Sequence, residues 1–279
     1  MKYLLFLLTV ITGSLLLAFA LNHKDATTST ETEAGQMPEH ARDRKTPVIV
    51  ELFTSEGCSS CPPADEVLAR LDRMQPVPGV EIIALSQHVD YWNRLGWADP
   101  YSSAQYSERQ SEYARAFGRG DIYTPQMVVD GRMEFVGSNL DKARDAIAQS
   151  ARSPKAAVQI ARSPSPDNAK KDQVRLKVRI ENLPDSSAGD TAEVWLAVTE
   201  NDLSSSVSRG ENAGRKLAHS AVVRKLSAIG RISSQDAFTA DPVIDISKGW
   251  KRKDLRVVVF IQERKSRRML GGAALALAE

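Results

Sequence analysis

The sequence predicts an α/β domain over residues 47–151, with the order β-α-β-α-β-β-α, followed by an all-β, sandwich-like domain over residues 155–279. Three observations carry that expectation. A nearly continuous apolar run at 48–53 has the pattern of a strand buried on both faces, and an amphipathic helix and a second apolar strand at 80–85 follow it. Asp130-Gly131, set between two short apolar runs, is a strong hairpin signal. From Val174 onward apolar and polar residues alternate strictly, the period of a half-buried antiparallel strand.

The segments before the first strand have other uses. Lys2 precedes an apolar run that ends in Ala18-Phe19-Ala20, so residues 1–20 read as a secretory signal peptide, or as an uncleaved signal anchor. Residues 21–46 are polar and without apolar periodicity, as in a disordered linker. Pro47 marks the start of the first strand. Ala64, Val67, Leu68 and Leu71 then fall at helical spacing, with Asp65 and Glu66 in the first turn, where negative charge complements the helix dipole. The second helix carries Tyr106, Gln110, Tyr113 and Phe117 on one side and stops at Gly118. Ser138 is the expected cap of the third.

In the second half, Val174, Leu176, Val178 and Ile180 face one way while Arg175, Lys177 and Arg179 face the other. Ala192, Val194, Leu196 and Val198 repeat the pattern, as do Leu255, Val257, Val259 and Ile261. Six or seven such strands without a helix predict a β-sandwich. Its role is either to bind or present something, or to complete the core of the first domain.

Of 279 residues, 37 are basic and 35 acidic, so a formal charge of +2 offers no electrostatic case for nucleic acid or a membrane surface. Chemistry concentrates instead in residues 51–65, where the two cysteines of the chain, Cys58 and Cys61, stand between a strand and a helix. Cys-x-x-Cys at such a turn closes and reopens a disulfide, and thiolates also suit soft metals.

The element order, with Cys-x-x-Cys after the first core strand and Thr124-Pro125 ahead of the hairpin, resembles the thioredoxin superfamily. That resemblance implies a thioredoxin-like fold for residues 47–151, a cis Thr124-Pro125 bond against the disulfide, and a strand edge open to an incoming peptide or mixed disulfide. It casts Cys58 as the nucleophile, its thiolate favoured if the helix starts at Ser59, and Cys61 as the resolving thiol. A helix starting only at Pro63 would weaken that support. Glu51 is either the buried carboxylate that takes the Cys61 proton or a strand residue reaching solvent. The string at residues 50–65, with His88-Val-Asp90-Tyr-Trp92 and the later 210–215, more narrowly resembles a secreted bacterial family catalogued as domain of unknown function 1223, which supplies a compartment but no substrate.

His88, Asp90, Trp92 and Trp97 follow the second strand. Trp92 and Trp97 form an aromatic lip beside the disulfide or pack the long connection, and His88 is a proton donor, a third metal ligand or a hydrogen-bonded structural residue. Three functions follow from these readings: an exported thiol:disulfide oxidoreductase needing no cofactor, a copper-binding protein using Cys58, Cys61 and His88, or a binding module with a structural disulfide. The first takes protein or small-molecule thiols and disulfides and a redox partner protein as partners. It meets a membrane only if the N-terminal segment is retained.

Overall fold

The computed structural model describes residues 45–164, 170, 172–187, 189–233 and 237–278. The expected signal segment, and the linker as far as residue 44, lie outside these. Strand β1 (Thr46–Thr54) is buried almost throughout and pairs in parallel with β2 (Val80–His88), from Thr46 opposite Val80 to Thr54 opposite His88. Helix α1 (Pro62–Met74) makes the crossover between them. After β2 an irregular connection leads to α2 (Ala104–Ala116), capped by the Ser103 hydroxyl, which accepts from the Gln105 N–H, and stopped by Gly118 at φ +66°. Strands β3 (Gln126–Val129) and β4 (Met133–Val136) form the expected hairpin, with positive φ at both Asp130 and Gly131. Helix α3 (Leu140–Ser150) follows, capped by Asn139 rather than Ser138, because the Asn139 Oδ1 accepts from the Lys142 N–H.

Through α3 the element order is that expected from the sequence, but the second half holds ten described strands rather than six or seven, and the architecture is not a thioredoxin-like α/β domain followed by a separate β-sandwich. The chain is mostly β and is built on one mixed sheet of eight strands, in the order β14-β13-β7-β10-β2-β1-β3-β4. Four of them come from the second half: β7 (Ala192–Glu200), β10 (Val222–Ile232), β13 (Leu255–Glu263) and β14 (Met269–Ala276). The join is a short parallel contact in which Val222 lies opposite Ser86 and the Ser86 N–H donates to the Ala221 carbonyl at 2.8 Å. A small second sheet of β5 (Ala157–Arg162), β6 (Gln173–Glu181), β11 (Phe238–Ala240) and β12 (Val243–Asp245) covers one face of the joined strands. Strands β8 (Leu203–Ser206) and β9 (Lys216–His219) make a separate hairpin.

The physical reason lies in residues between the alternating ones. Val194, Leu196, Val198, Val257 and Val259 face β6, as expected of one side of a sandwich. Trp195, Ala197, Val258 and Phe260 face the other way and are apolar too, so these strands need cover on both sides. Ile49, Ile83 and Leu85 of the first half supply it, with Tyr106 of α2. Of β6, β7 and β13, the three strands whose sequences alternate, only β6 keeps the buried-exposed alternation along its length.

Two contacts help lock the halves together. The Tyr106 hydroxyl donates to the Val223 carbonyl at 2.7 Å. At Gly131, φ +68°, a β-carbon would lie 1.8 Å from the Arg267 carbonyl oxygen, so the β3–β4 turn can meet the β13–β14 turn only with glycine there. Helices α1 and α3 lie on the face lined by Val48, Val50 and Leu52, and α2 lies on the opposite face. Among the described residues no helix is long and apolar enough to cross a membrane.

Candidate functional site

Strand β1 delivers the chain into a tight turn in which the Cys58 N–H donates to the Ser55 carbonyl and the Cys61 N–H to that of Cys58, both at 3.2 Å. Cys58 and Cys61 are joined in a disulfide across a Cα separation of 5.4 Å. Both cysteines are 0% exposed, whereas Ser59 and Ser60 between them are open to solvent. The Ser60 hydroxyl lies 3.3 Å from the Cys58 sulfur.

Helix α1 begins at Pro62, with Cys61 as its cap, so neither expected start, Ser59 or Pro63, is the observed one. The consequence is electrostatic. The first N–H groups of a helix are normally free to face an anion, but Pro62 and Pro63 have none, and those of Ala64 and Asp65 donate to the Cys61 carbonyl at 2.8 and 3.1 Å. The helix start therefore presents no free N–H to the Cys58 sulfur.

What holds the turn is Glu56, fully buried two residues before Cys58. Its Oε2 accepts from Trp97 Nε1 at 2.8 Å, and its Oε1 lies 2.9 Å from His219 Nε2. Its N–H donates to Asp99 Oδ2 at 2.8 Å, and the same oxygen meets His88 Nδ1 at 2.7 Å. Two carboxylate–histidine pairs thus lie side by side, with the His88 and His219 rings edge to face at a centroid distance of 4.8 Å and Tyr101 against both. Burial would raise the Asp99 pKa, but the His88 ring and the N–H groups of Glu56 and Tyr101 outweigh it and hold the carboxyl below its usual range.

The second half also clamps the turn directly. The Asn212 side-chain amide donates to the carbonyls of Glu56 at 2.8 Å and Cys58 at 3.0 Å, and Glu211 accepts from the Ser59 N–H at 2.9 Å. Gly210 and Gly214, both at positive φ, flank this strap.

Asp65 lies one helical turn beyond Cys61 on α1, at the spacing that puts two side chains on one face. The residue as a whole is half-buried, but its Oδ1 is sealed from solvent and has no hydrogen-bond partner among the described residues. His88 Nε2, His219 Nδ1 and the Thr54 hydroxyl share that condition. Burial pushes the Asp65 carboxyl up to about 7, against the opposing pull of His219 and Thr54, while Asp99 and Glu56 add to the rise.

Glu51 does neither of the two things expected of it. It is fully buried and faces α2, where its Oε1 accepts from Arg109 Nε and Gln87 Nε2, both at 2.6 Å, and its Oε2 accepts from the Tyr113 hydroxyl. Asp65, on the α1 face, is the carboxylate with capacity to spare. The Thr124-Pro125 bond is cis, and the Thr124 hydroxyl accepts from Trp92 Nε1 at 2.8 Å. Trp92 also packs on Gly57, whose added β-carbon would lie 3.3 Å from that of Trp92. It therefore joins the cysteine turn to the Pro125 loop. Trp97 serves Glu56, and Asp90 accepts from the Ser107 hydroxyl of α2 at 2.5 Å, away from the turn. Among the described residues no group of three or more His, Cys, Asp or Glu side chains is arranged to hold a metal ion. His88 is paired with Asp99, and both thiols expected as its co-ligands are spent in the disulfide.

Residues 49–262 match the family model of a protein of unknown function, DUF1223. The chain belongs to this family. A crystal structure of an Agrobacterium tumefaciens protein is similar to it at 26% identity and TM-score 0.60, over 84% of this chain and 96% of that one. HBP35 of Porphyromonas gingivalis shares the fold at 15% identity and TM-score 0.61, over 84% of this chain and 77% of that one. No curated protein matches the chain.

In this DUF1223 chain, Glu56, Asp99, Asn212, Glu211 and His219 lie outside the site residues expected from the sequence, and Asp65 was expected only to complement the helix dipole. One signal was available for part of the set. The polar, glycine-bracketed stretch 210–215 interrupts an otherwise alternating half, which marks it as serving something other than a sheet.

Proposed function

We propose that the protein is an exported thiol:disulfide oxidoreductase-like protein that acts through the Cys58–Cys61 pair on protein or small-molecule thiols, with export resting on the N-terminal apolar run. The observation that carries this reading is the disulfide at the start of α1 with the Asp65 carboxyl, one of whose oxygens is sealed from solvent, one turn behind Cys61. A thiolate leaving a buried disulfide needs a proton donor. A carboxyl whose pKa is raised by burial to about 7 is protonated often enough at neutral pH to serve. The likeness to the thioredoxin superfamily bears on the chemistry of this turn, with Trp92 tying it to Thr124, and not on the architecture.

In the reducing direction the donor thiolate attacks the Cys58 sulfur. The new bond joins donor sulfur to Cys58, the Cys58–Cys61 bond breaks, and its electron pair goes to the Cys61 sulfur, which takes the proton from Asp65. A second donor thiolate then displaces Cys58 from the mixed disulfide, so two thiols are oxidised to one disulfide as the pair is reduced.

One observation favours a second reading, a binding module with a structural disulfide: both cysteines are 0% exposed. Equilibration with glutathione buffers separates the two. A potential above about −300 mV fits the oxidoreductase, and a value below it fits a bond that resists exchange. Cys61→Ser should in addition trap mixed disulfides on Cys58 in extracts of the exporting compartment, and an empty trap would count for the structural reading.

A further inference from the structure

We infer that Glu211, on the strap of the second half, is a specificity-determining residue for the exchange reaction: its carboxylate selects against anionic thiols, so that Cys58 exchanges with thiols in neutral or basic surroundings. This deepens the oxidoreductase reading, on which it rests, by naming the class of thiol.

The strap is built to hold that charge in place. Asn212, the next residue, is 1% exposed, and its amide donates to the Glu56 and Cys58 carbonyls. Arg215 Nη1 donates to Asn212 Oδ1 at 2.8 Å and so fixes which way the amide faces. The strap closes on itself, with the Val207 N–H donating to the Arg215 carbonyl at 2.9 Å and the Gly214 N–H to the Val207 carbonyl at 2.8 Å. At its other end Gly210 lies against the connection after β2, where an added β-carbon would meet that of Trp97 at 3.5 Å. Between these anchors Glu211 is exposed and accepts from the Ser59 N–H at 2.9 Å.

Ser59 follows Cys58 directly. Four covalent bonds separate its nitrogen from the Cys58 sulfur, so bond lengths and angles keep the Glu211 carboxylate within about 8 Å of that sulfur. That is inside one Debye length at ordinary ionic strength, about 10 Å at 0.1 M. The Ser59 hydroxyl and N–H hold the carboxyl below its usual range, so it is ionised at neutral pH. Among the described residues Glu211 is the one charged side chain hydrogen-bonded to the exposed part of the turn. Asp99 and His219 meet Glu56 instead, which is fully buried. Arg209 and Arg215 of the strap and Arg94 of the connection are exposed as well, and their charges stay the same when Glu211 alone is changed.

The Ser59 N–H is where an incoming anion would otherwise be received, and Glu211 fills that place with a fixed negative charge. A like charge set against the wrong substrate discriminates without any contact to the right one. The attacking thiolate forms its bond to the Cys58 sulfur as the Cys58–Cys61 bond breaks, and any further charge it carries has to come up to the turn with it.

The test is reduction of the full chain by cysteamine, mercaptoethanol and mercaptoacetate, whose thiolates are respectively neutral overall, singly negative and doubly negative. Each rate is divided by the thiolate concentration. Glu211→Gln keeps a carbonyl for the Ser59 N–H and removes the charge. Comparing variant with parent for one thiol at a time cancels that thiol's own reactivity, and a loosened strap would raise all three ratios equally. At an ionic strength of about 0.01 M the variant-to-parent ratio should grow by roughly twofold for each added negative charge, from cysteamine to mercaptoethanol to mercaptoacetate. In about 1 M salt the three ratios should converge. Glu211→Lys, which reverses the charge, should steepen the low-salt series further. Ratios that are the same for all three thiols in both variants overturn the inference and leave the oxidoreductase reading standing. A parent that none of the three reduces overturns that reading, and the inference falls with it.

Discussion

Glu51 and Asp65 are both acids close to the first cysteine in sequence, and their different surroundings give them opposite uses. Glu51 is buried with three donors, among them the Arg109 guanidinium, so its charge is fully answered and it acts as a bolt between β1 and α2. For Asp65 burial outweighs the opposing pull of His219 and the Thr54 hydroxyl, so it keeps its proton to a higher pH. The difference carries a stability prediction whose sign follows from the raised pKa. The unfolded chain releases the Asp65 proton at about pH 4, the folded chain only near 7. Between those values the folded state binds more protons than the unfolded one, so this group's contribution to stability is full at the acid end and is lost as pH rises. Asp65→Asn, which keeps the shape and cannot ionise, should therefore match the parent near about pH 4 and melt at a higher temperature than the parent near about pH 8. Thermal melts of the oxidised protein at the two pH values check it. Equal shifts at both would mean that the carboxyl ionises freely in the fold.

At the scale of elements, two prolines and one strap define the turn. Pro62 and Pro63 set the φ of the first helical turn while removing the N–H groups that would otherwise have faced Cys58. The orientation of the turn thus depends on side chains from elsewhere, chiefly Asn212, whose amide spans the Glu56 and Cys58 carbonyls. Removing that amide leaves the Glu56 carbonyl without its donor and the Cys58 carbonyl with the Cys61 N–H alone, at a cost of about 1–3 kcal/mol. It also frees the strap between Gly210 and Gly214 from the cysteine turn. Asn212→Ala should then be reduced faster by a small thiol than the parent, by roughly tenfold if the loss of about 1.4 kcal/mol appears wholly as easier opening. Quenched alkylation read by mass spectrometry gives the rate. An unchanged rate would show that the strap does not govern access to the sulfurs.

At the scale of the whole molecule, what was legible from the sequence was local: the Cys-x-x-Cys turn, the Asp130-Gly131 hairpin, the Gly118 stop and the order of elements through residue 150 each depend on neighbours in the chain. What was not legible depends on residues far apart in sequence. Alternation in β7 and β13 hid the second apolar face formed by Trp195, Ala197, Val258 and Phe260, and nothing near His88 in sequence announces that His219 will lie beside it. The same long-range contacts predict how the chain comes apart. A fragment of residues 45–155 keeps β1 to β4 and all three helices, yet it exposes Ile49, Ile83, Leu85 and Tyr106, all nearly fully buried in the intact chain, and leaves the β2 edge unpaired at Ser86. Buried apolar area stabilises by roughly 25 cal/mol per Å², and a small domain has little margin to lose. The fragment also strips Glu56 of His219 and Asn212, so the cysteine turn loses both its clamp and one of the two partners of its carboxylate. It should therefore show no cooperative thermal transition, and its cysteines should react with alkylating agents as in an unfolded chain after mild reduction. A fragment that melts cooperatively near the temperature of the full chain would show that the first half folds as a unit by itself and that the eight-stranded sheet is two independent parts placed edge to edge.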